Sequence, residues 1–213
     1  MSDHYRLSFN FALPAYGPEE WPKVFQALAQ DRKPDASCLG TLPHVVREYL
    51  ADPTRLGLAM ADERLGSPVE MKRLWSSKET AYHAKSPEWE VRFTVSMHDD
   101  EYANYGYMLE LQIFDVVGDN GLYCSTITEN QKDSVTHLYK SDDDLIRVHL
   151  AAPSTRYWVP PEYLENRGEF PTARSPELGF SLHAPTVISA EQRAQAFAGH
   201  REDMRAAGAP DYE

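Results

Sequence analysis

Cysteine is scarce in this chain. Cys38 and Cys124 are the only two in 213 residues, too few and too far apart for a disulfide framework or a four-ligand zinc site. Both are expected to be free thiols in a reducing compartment. Long apolar runs are missing too: nothing approaches the roughly 18 apolar residues of a membrane span. The opening Met-Ser-Asp-His-Tyr-Arg-Leu has neither the basic start nor the apolar stretch of a signal peptide. The expectation is a cytoplasmic protein with no membrane partner.

Positive charge is in short supply. Against 33 Asp and Glu stand 21 Lys and Arg, a formal net charge of −12. Such a field repels phosphate backbones and anionic headgroups, which disfavours nucleic acid, and speeds encounter with basic proteins. Motifs that carry a mechanism are absent as well. There is no Walker loop, no glycine-rich dinucleotide turn, no Gly-x-Ser-x-Gly elbow, no His-Glu-x-x-His and no Cys-x-x-Cys. No residue is therefore assigned a catalytic role, and no cofactor or metal is expected. Cys124 sits in a strand-like run, where cysteines are ordinarily packing groups.

What the chain does have is alternation. Tyr5, Leu7, Phe9, Phe11 and Leu13 fall on every second position, and so do Val91, Phe93, Val95 and Met97, the period of a strand with one buried face. After Pro14, Gly17 and Pro18, the residues Trp21, Val24, Phe25 and Leu28 recur at helical spacing, behind Glu19 and Glu20 in a first turn where the dipole favours anions. Residues 31–40 read as a polar connector. Leu42, Val45, Val46, Tyr49 and Leu50 then predict a second helix, closed by Asp52-Pro53. Leu56 to Met60 suggests an extended segment, and Val69 to Ala84 a strand or loose hairpin.

The stretch 89–150 reads as an antiparallel β-meander. Its expected strands are Val91–Met97, Tyr107–Val117, Leu122–Thr128, Val135–Lys140 and Leu145–Leu150. Polar connections are expected at 98–106, 129–134 and 141–144, and the Asn120-Gly121 pair predicts a tight hairpin at 118–121. Prolines crowd the segment 151–188 among Tyr157, Trp158, Tyr163, Phe170 and Phe180, which suggests an ordered irregular strap over the core. Ser189 and Gln192 form a capping box for a last helix within 189–208. The whole is a single α+β domain, 1–213: a strand-helix-helix start (1–88), a sheet core, a strap and a C-terminal helix.

If the meander holds, each end of the sheet gathers acids. Asp99, Asp100, Glu101, Glu129 and Asp133 would share one rim with Tyr102 and Tyr105; Asp119, Asp142, Asp143 and Asp144 would share the other. The run from His98 to Glu101 has residue types that can bind metal, but adjacent side chains in a loop diverge, and a solvated turn is the simpler account. Acids beside tyrosines suit a partner rich in Lys and Arg. In being small, acidic, motif-poor and α+β, the chain resembles, in type alone, bacterial immunity proteins that block a cognate toxin. The expected function is therefore a non-enzymatic binding protein that neutralises a basic protein. The alternative is a small-molecule pocket or enzyme between a curved sheet and the helices, lined by residues such as Trp75, Phe93 and Tyr107. A third reading is a self-associating structural protein built through an exposed edge strand, with a homodimer as the partner call.

Overall fold

Phe9 and Phe93 stand opposite each other on neighbouring strands with ring centroids 4.8 Å apart, and the core grows outward from this pair. In the computed structural model, residues 4–51, 69–73, 89–128, 134–151, 181–182 and 185–206 are described. The expected extended segment at Leu56–Met60, the continuation of the Val69 run beyond Arg73 and nearly all of the strap lie outside them. So does the chain end at Gly208 and Pro210.

The first strand, β1 (His4–Ala12), is followed by α1 (Glu20–Ala29), a short α2 (Ala36–Leu39) and α3 (His44–Ala51). The connector expected at 31–40 thus contains a helical turn, started by Asp35, whose carboxylate accepts the Ser37 N–H. Next come β2 (Val69–Arg73) and β3 (Trp89–His98). A continuous helix 99–113 follows, made of α4 (Asp99–Glu101), a π turn (Tyr102–Gly106) and α5 (Tyr107–Ile113). Then come β4 (Gly121–Thr128), β5 (Ser134–Ser141), β6 (Asp144–Ala151), β7 (Ser181–Leu182), β8 (Thr186–Ile188) and α6 (Ala190–Ala206).

The architecture is α+β around one antiparallel sheet. Its order is β2-β3-β1-β4-β5-β6-β7, with β8 also paired to β6. Among the described residues the order of elements up to β4 is β-α-β-β-α-β, with β1 slotted between β3 and β4 in a split β-α-β arrangement; β5 and β6 widen it. The consecutive meander is consequently narrower than the sequence suggested. Of the strands within 89–151, β4, β5 and β6 run up and down as consecutive neighbours and β3 does not join them, because it spends both its edges on β1 and β2.

The run 107–117 is not a strand. Met108, Leu109, Glu110, Leu111 and Ile113 are all buried, so apolar residues on every side mimic a two-faced strand, and period alone does not separate the two cases. Composition does: Met, Leu, Glu, Leu and Gln in succession are strong helix formers. It follows that Gly118–Gly121 is no hairpin. It leads from helix to strand, with Gly121 at φ 136°, a backbone conformation suited to glycine. The hairpin turn at 141–144 is where it was expected, with Asp142 at φ 56° and Ser141 paired to Asp144.

The helices cover one face of the sheet. Leu7, Phe9 and Phe11 of β1 and Val91, Phe93 and Val95 of β3 meet Trp21, Val24, Phe25 and Leu28 of α1 and Val45, Val46, Tyr49 and Leu50 of α3, each buried side chain contributing about 1.5–3 kcal/mol. Gln112 of α5 accepts the Val45 N–H at 2.7 Å, tying α5 to the N-terminal end of α3. On the opposite face, Val135, Tyr139, Val148 and Leu150 form a second apolar cluster. Gly118 donates to Ala12 O at 2.7 Å, and a Cβ there would lie 2.6 Å from Pro14 N and Cα. Gly118→Ala is expected to lower the urea midpoint with an unfolding cost of about 1–3 kcal/mol, because the obstacle is backbone.

Candidate functional site

The two sheet ends are built as the topology requires, but they are not equivalent. His98 ends β3 beside His4, and Thr128 ends β4 beside Tyr5, so Asp99, Asp100 and Glu101 occupy that end. Their carboxylates are largely engaged in structure. Asp99 accepts the Asp100 N–H at 2.9 Å and lies 2.9 Å from His98 Nδ1, while Glu101 accepts the Tyr49 hydroxyl at 2.7 Å. Tyr102 is not the surface tyrosine the sequence suggested: it turns inward and stacks on Tyr5, with centroids 4.0 Å apart. Tyr105 is half-buried, its ring 6.1 Å from that of His200 on α6. Glu129 and Asp133 lie outside the described residues.

The opposite end is a single piece. Asn120 Nδ2 donates to Asp142 Oδ1 at 2.7 Å and the Asp142 N–H donates to Asn120 Oδ1 at 2.8 Å, joining the link before β4 to the β5–β6 turn. Asp119, Asp142, Asp143 and Asp144 are thereby held together. The two nearest cations spend their hydrogen bonds on backbone. Lys140 Nζ donates to Val117 O at 2.6 Å and Phe114 O at 3.3 Å; Arg193 Nη1 donates to Asp143 O at 2.6 Å and Ile188 O at 3.3 Å. Arg193 also lies 3.9 Å above the Phe114 ring, where cation and quadrupole attract. Asp119, Asp143 and Asp144 enter no ion pair among the described residues. Burial pulls the Lys140 ammonium down, against the pull of Asp115, Asp143 and Asp119.

Between the two ends lies a group that the sequence reading passed over. Glu110 is fully buried (0% exposed). Its Oε1 accepts from Thr126 at 2.6 Å and from Tyr102 at 3.1 Å, its Oε2 accepts from Arg147 Nη2 at 2.8 Å, and the Tyr123 hydroxyl donates to its carbonyl at 3.1 Å. Arg147 also lies 5.0 Å from the centre of the Tyr107 ring, and its buried Nε has no hydrogen-bond partner among the described residues. A register shift in β4 between Leu122 and Cys124 lets Tyr123 and Cys124 both join the helix-side core, which strict alternation would forbid. Burial pushes the Glu110 carboxyl up, and the Arg147 guanidinium opposes the rise. Burial likewise drives the Tyr102 phenol and the Cys124 thiol up, so Cys124 stays a protonated packing group with its Sγ 3.8 Å from Thr126 Oγ1. With Glu110 wholly covered, the cluster pins helix 99–113 to β4 and β6.

Of the residues of the expected pocket, two are described. Phe93 is stacked between Phe9 and Phe25, Tyr107 lies against Arg147, and Trp75 is outside the described residues. An open depression at the β2 edge is lined by Ala29, Val69, Glu70, Met71, Lys72, Glu90 and Arg92, where Arg92 and Glu90 pair at 2.8 Å. Among the described residues no group of three or more His, Cys, Asp or Glu could hold a metal ion, and no helix is long and apolar enough to cross a membrane. Comparison with family models, with curated proteins and with solved structures finds no match to this chain.

Proposed function

We propose that this chain is a non-enzymatic acidic binding protein of the cytoplasm that neutralises a basic protein partner, in the manner of an immunity protein facing its toxin. The observation that carries the reading is the Asn120–Asp142 tie. It makes one preorganised platform of Asp119, Asp142, Asp143 and Asp144, so a partner does not have to order two separate loops on arrival. Lys140 and Arg193 donate their hydrogen bonds to carbonyls, while Asp119 and Asp143 are exposed and Asp144 is half-buried, which suits approach by lysine and arginine side chains. The net charge of −12 adds long-range attraction for such a partner.

The triple variant Asp119→Asn, Asp143→Asn, Asp144→Asn tests this. Surface changes of this kind usually move stability by less than about 0.5 kcal/mol, so its urea midpoint is expected to match the parent. The parent, immobilised and challenged with a lysate of its native host, is expected to retain a protein with excess Lys and Arg that the triple variant loses. Retention of an acidic partner, or equal retention of a basic one by both chains, would count against the platform.

A further inference from the structure

Helix 99–113 contains a turn wound with one residue too many. The Tyr107 N–H donates to Tyr102 O across residues 102–106, which form a π turn between two α-helical segments. Such insertions are costly in isolation and persist where side chains reward them. Here the reward is concentrated in Tyr102. Its ring lies on Tyr5 with planes 4° apart, its hydroxyl reaches Glu110 at 3.1 Å, and it folds back over Gly106, where a Cβ would stand 2.2 Å from Tyr102 Cδ2.

Unwinding the extra residue while 107–113 stayed seated would bring Ala103 to the place Tyr102 now fills. Asp99, Asp100 and Glu101 would each advance one position, about 100° round the helix axis. Tyr49, now bonded to Glu101, would then face Tyr102. Ala103 has no ring for Tyr5 and no donor for Glu110, so the regular helix loses at the sheet what it gains along its backbone.

We propose that helix 99–113 has two seatings on the sheet, one with the π turn and one regularly α-helical, and that the Tyr102 side chain selects the first. The device fixes the direction in which the acids of this sheet end point. It stands independently of any partner at the Asp142 platform, since the two lie at opposite ends of the sheet.

The test is the structure of the Tyr102→Ala variant. Its helix is expected to run α-helically through 102–106, with the Tyr107 N–H transferred to the carbonyl of residue 103, Ala103 against Tyr5, and Asp99–Glu101 displaced by one position while residues 107–113 and the sheet stay in place. Gly106→Ala should reach the same end by expelling the ring. A π turn that persists in either variant overturns the proposal. If neither variant folds, the second seating does not exist as a folded state, and the proposal fails on that result too.

Discussion

Replacing Arg147 with methionine is expected to lower the unfolding free energy by about 3–5 kcal/mol, the range for stripping one partner from a buried ion pair. The reason is an asymmetry of exposure. Glu110 is 0% exposed and Arg147 31%, so the arginine can turn toward water and the glutamate cannot. Without Arg147, the carboxylate keeps the hydroxyls of Thr126 and Tyr102, which supply hydrogen bonds but no countercharge. Glu110→Gln keeps an oxygen for those hydroxyls and frees a guanidinium that reaches solvent, so its cost is expected to be smaller, about 1–2 kcal/mol. The double variant should recover most of the Arg147→Met loss, because each change removes the penalty left by the other. Urea unfolding of the parent and the three variants measures this. A double variant that merely sums the two single losses would show that the pair is not coupled.

Acidification is expected to destabilise the fold through His137 by about 3 kcal/mol. This imidazole sits on the second face of the sheet, buried, with its Nδ1 2.8 Å from Ser125 Oγ, and burial pulls its pKa down from 6.5 to about 4. The folded state therefore resists the proton that the unfolded state accepts. Above pH 6.5 both states are neutral at this site and nothing is lost. As pH falls from 6.5 toward 4 the unfolded chain takes up the proton first, and stability drops through that window before levelling below it. Comparing the parent with His137→Leu at pH 7, 5 and 4 isolates the effect from the carboxylates, which titrate in both. The variant should lack this part of the loss. A His137 imidazole resonance that titrates near 6.5 in the folded protein would contradict the account.

Local pattern revealed the elements whose environment is simple. β1 alternates because one face meets α1 and the other stays polar, and α1 shows its apolar stripe because it covers one side of one sheet. The capping box was readable because it is wholly local: Gln192 Oε1 accepts the Ser189 N–H at 2.9 Å, and Ser189 Oγ accepts the Gln192 N–H at 3.3 Å. Helix 99–113 was not readable by period, since α3 lies against its second half, the sheet lies beneath and Met108 to Leu111 are buried without a break, leaving no polar stripe there to mark the turn. The place of β1 between β3 and β4 is a long-range choice that no local spacing records.

The Glu110 cluster did leave a trace. A lone acid interrupts the apolar run Met108-Leu109-Glu110-Leu111, and a lone base occupies an inward position between Leu145 and His149. Opposite charges inside two apolar segments require each other, a pairing that alternation counts do not seek. For the acids at Asp119 and Asp142–Asp144, grouping by sheet end followed from the ends of β4, β5 and β6 alone. It survived the conversion of 107–117 to helix, because Gly121 pairs with Lys140 and Ser141 with Asp144 whatever element leads into β4.

The claim that matters most is that the Asp142 platform steers a basic protein into contact. Stopped-flow association of the chain with the basic protein recovered from its host, measured from about 0.05 to 0.5 M salt, tests it directly, since the Debye length shrinks several-fold over that range. The expected result is an association rate that falls about ten-fold or more with salt, with a lower low-salt rate and a shallower slope for the triple Asp→Asn variant. An association rate indifferent to ionic strength, or the same slope for parent and variant, would contradict it.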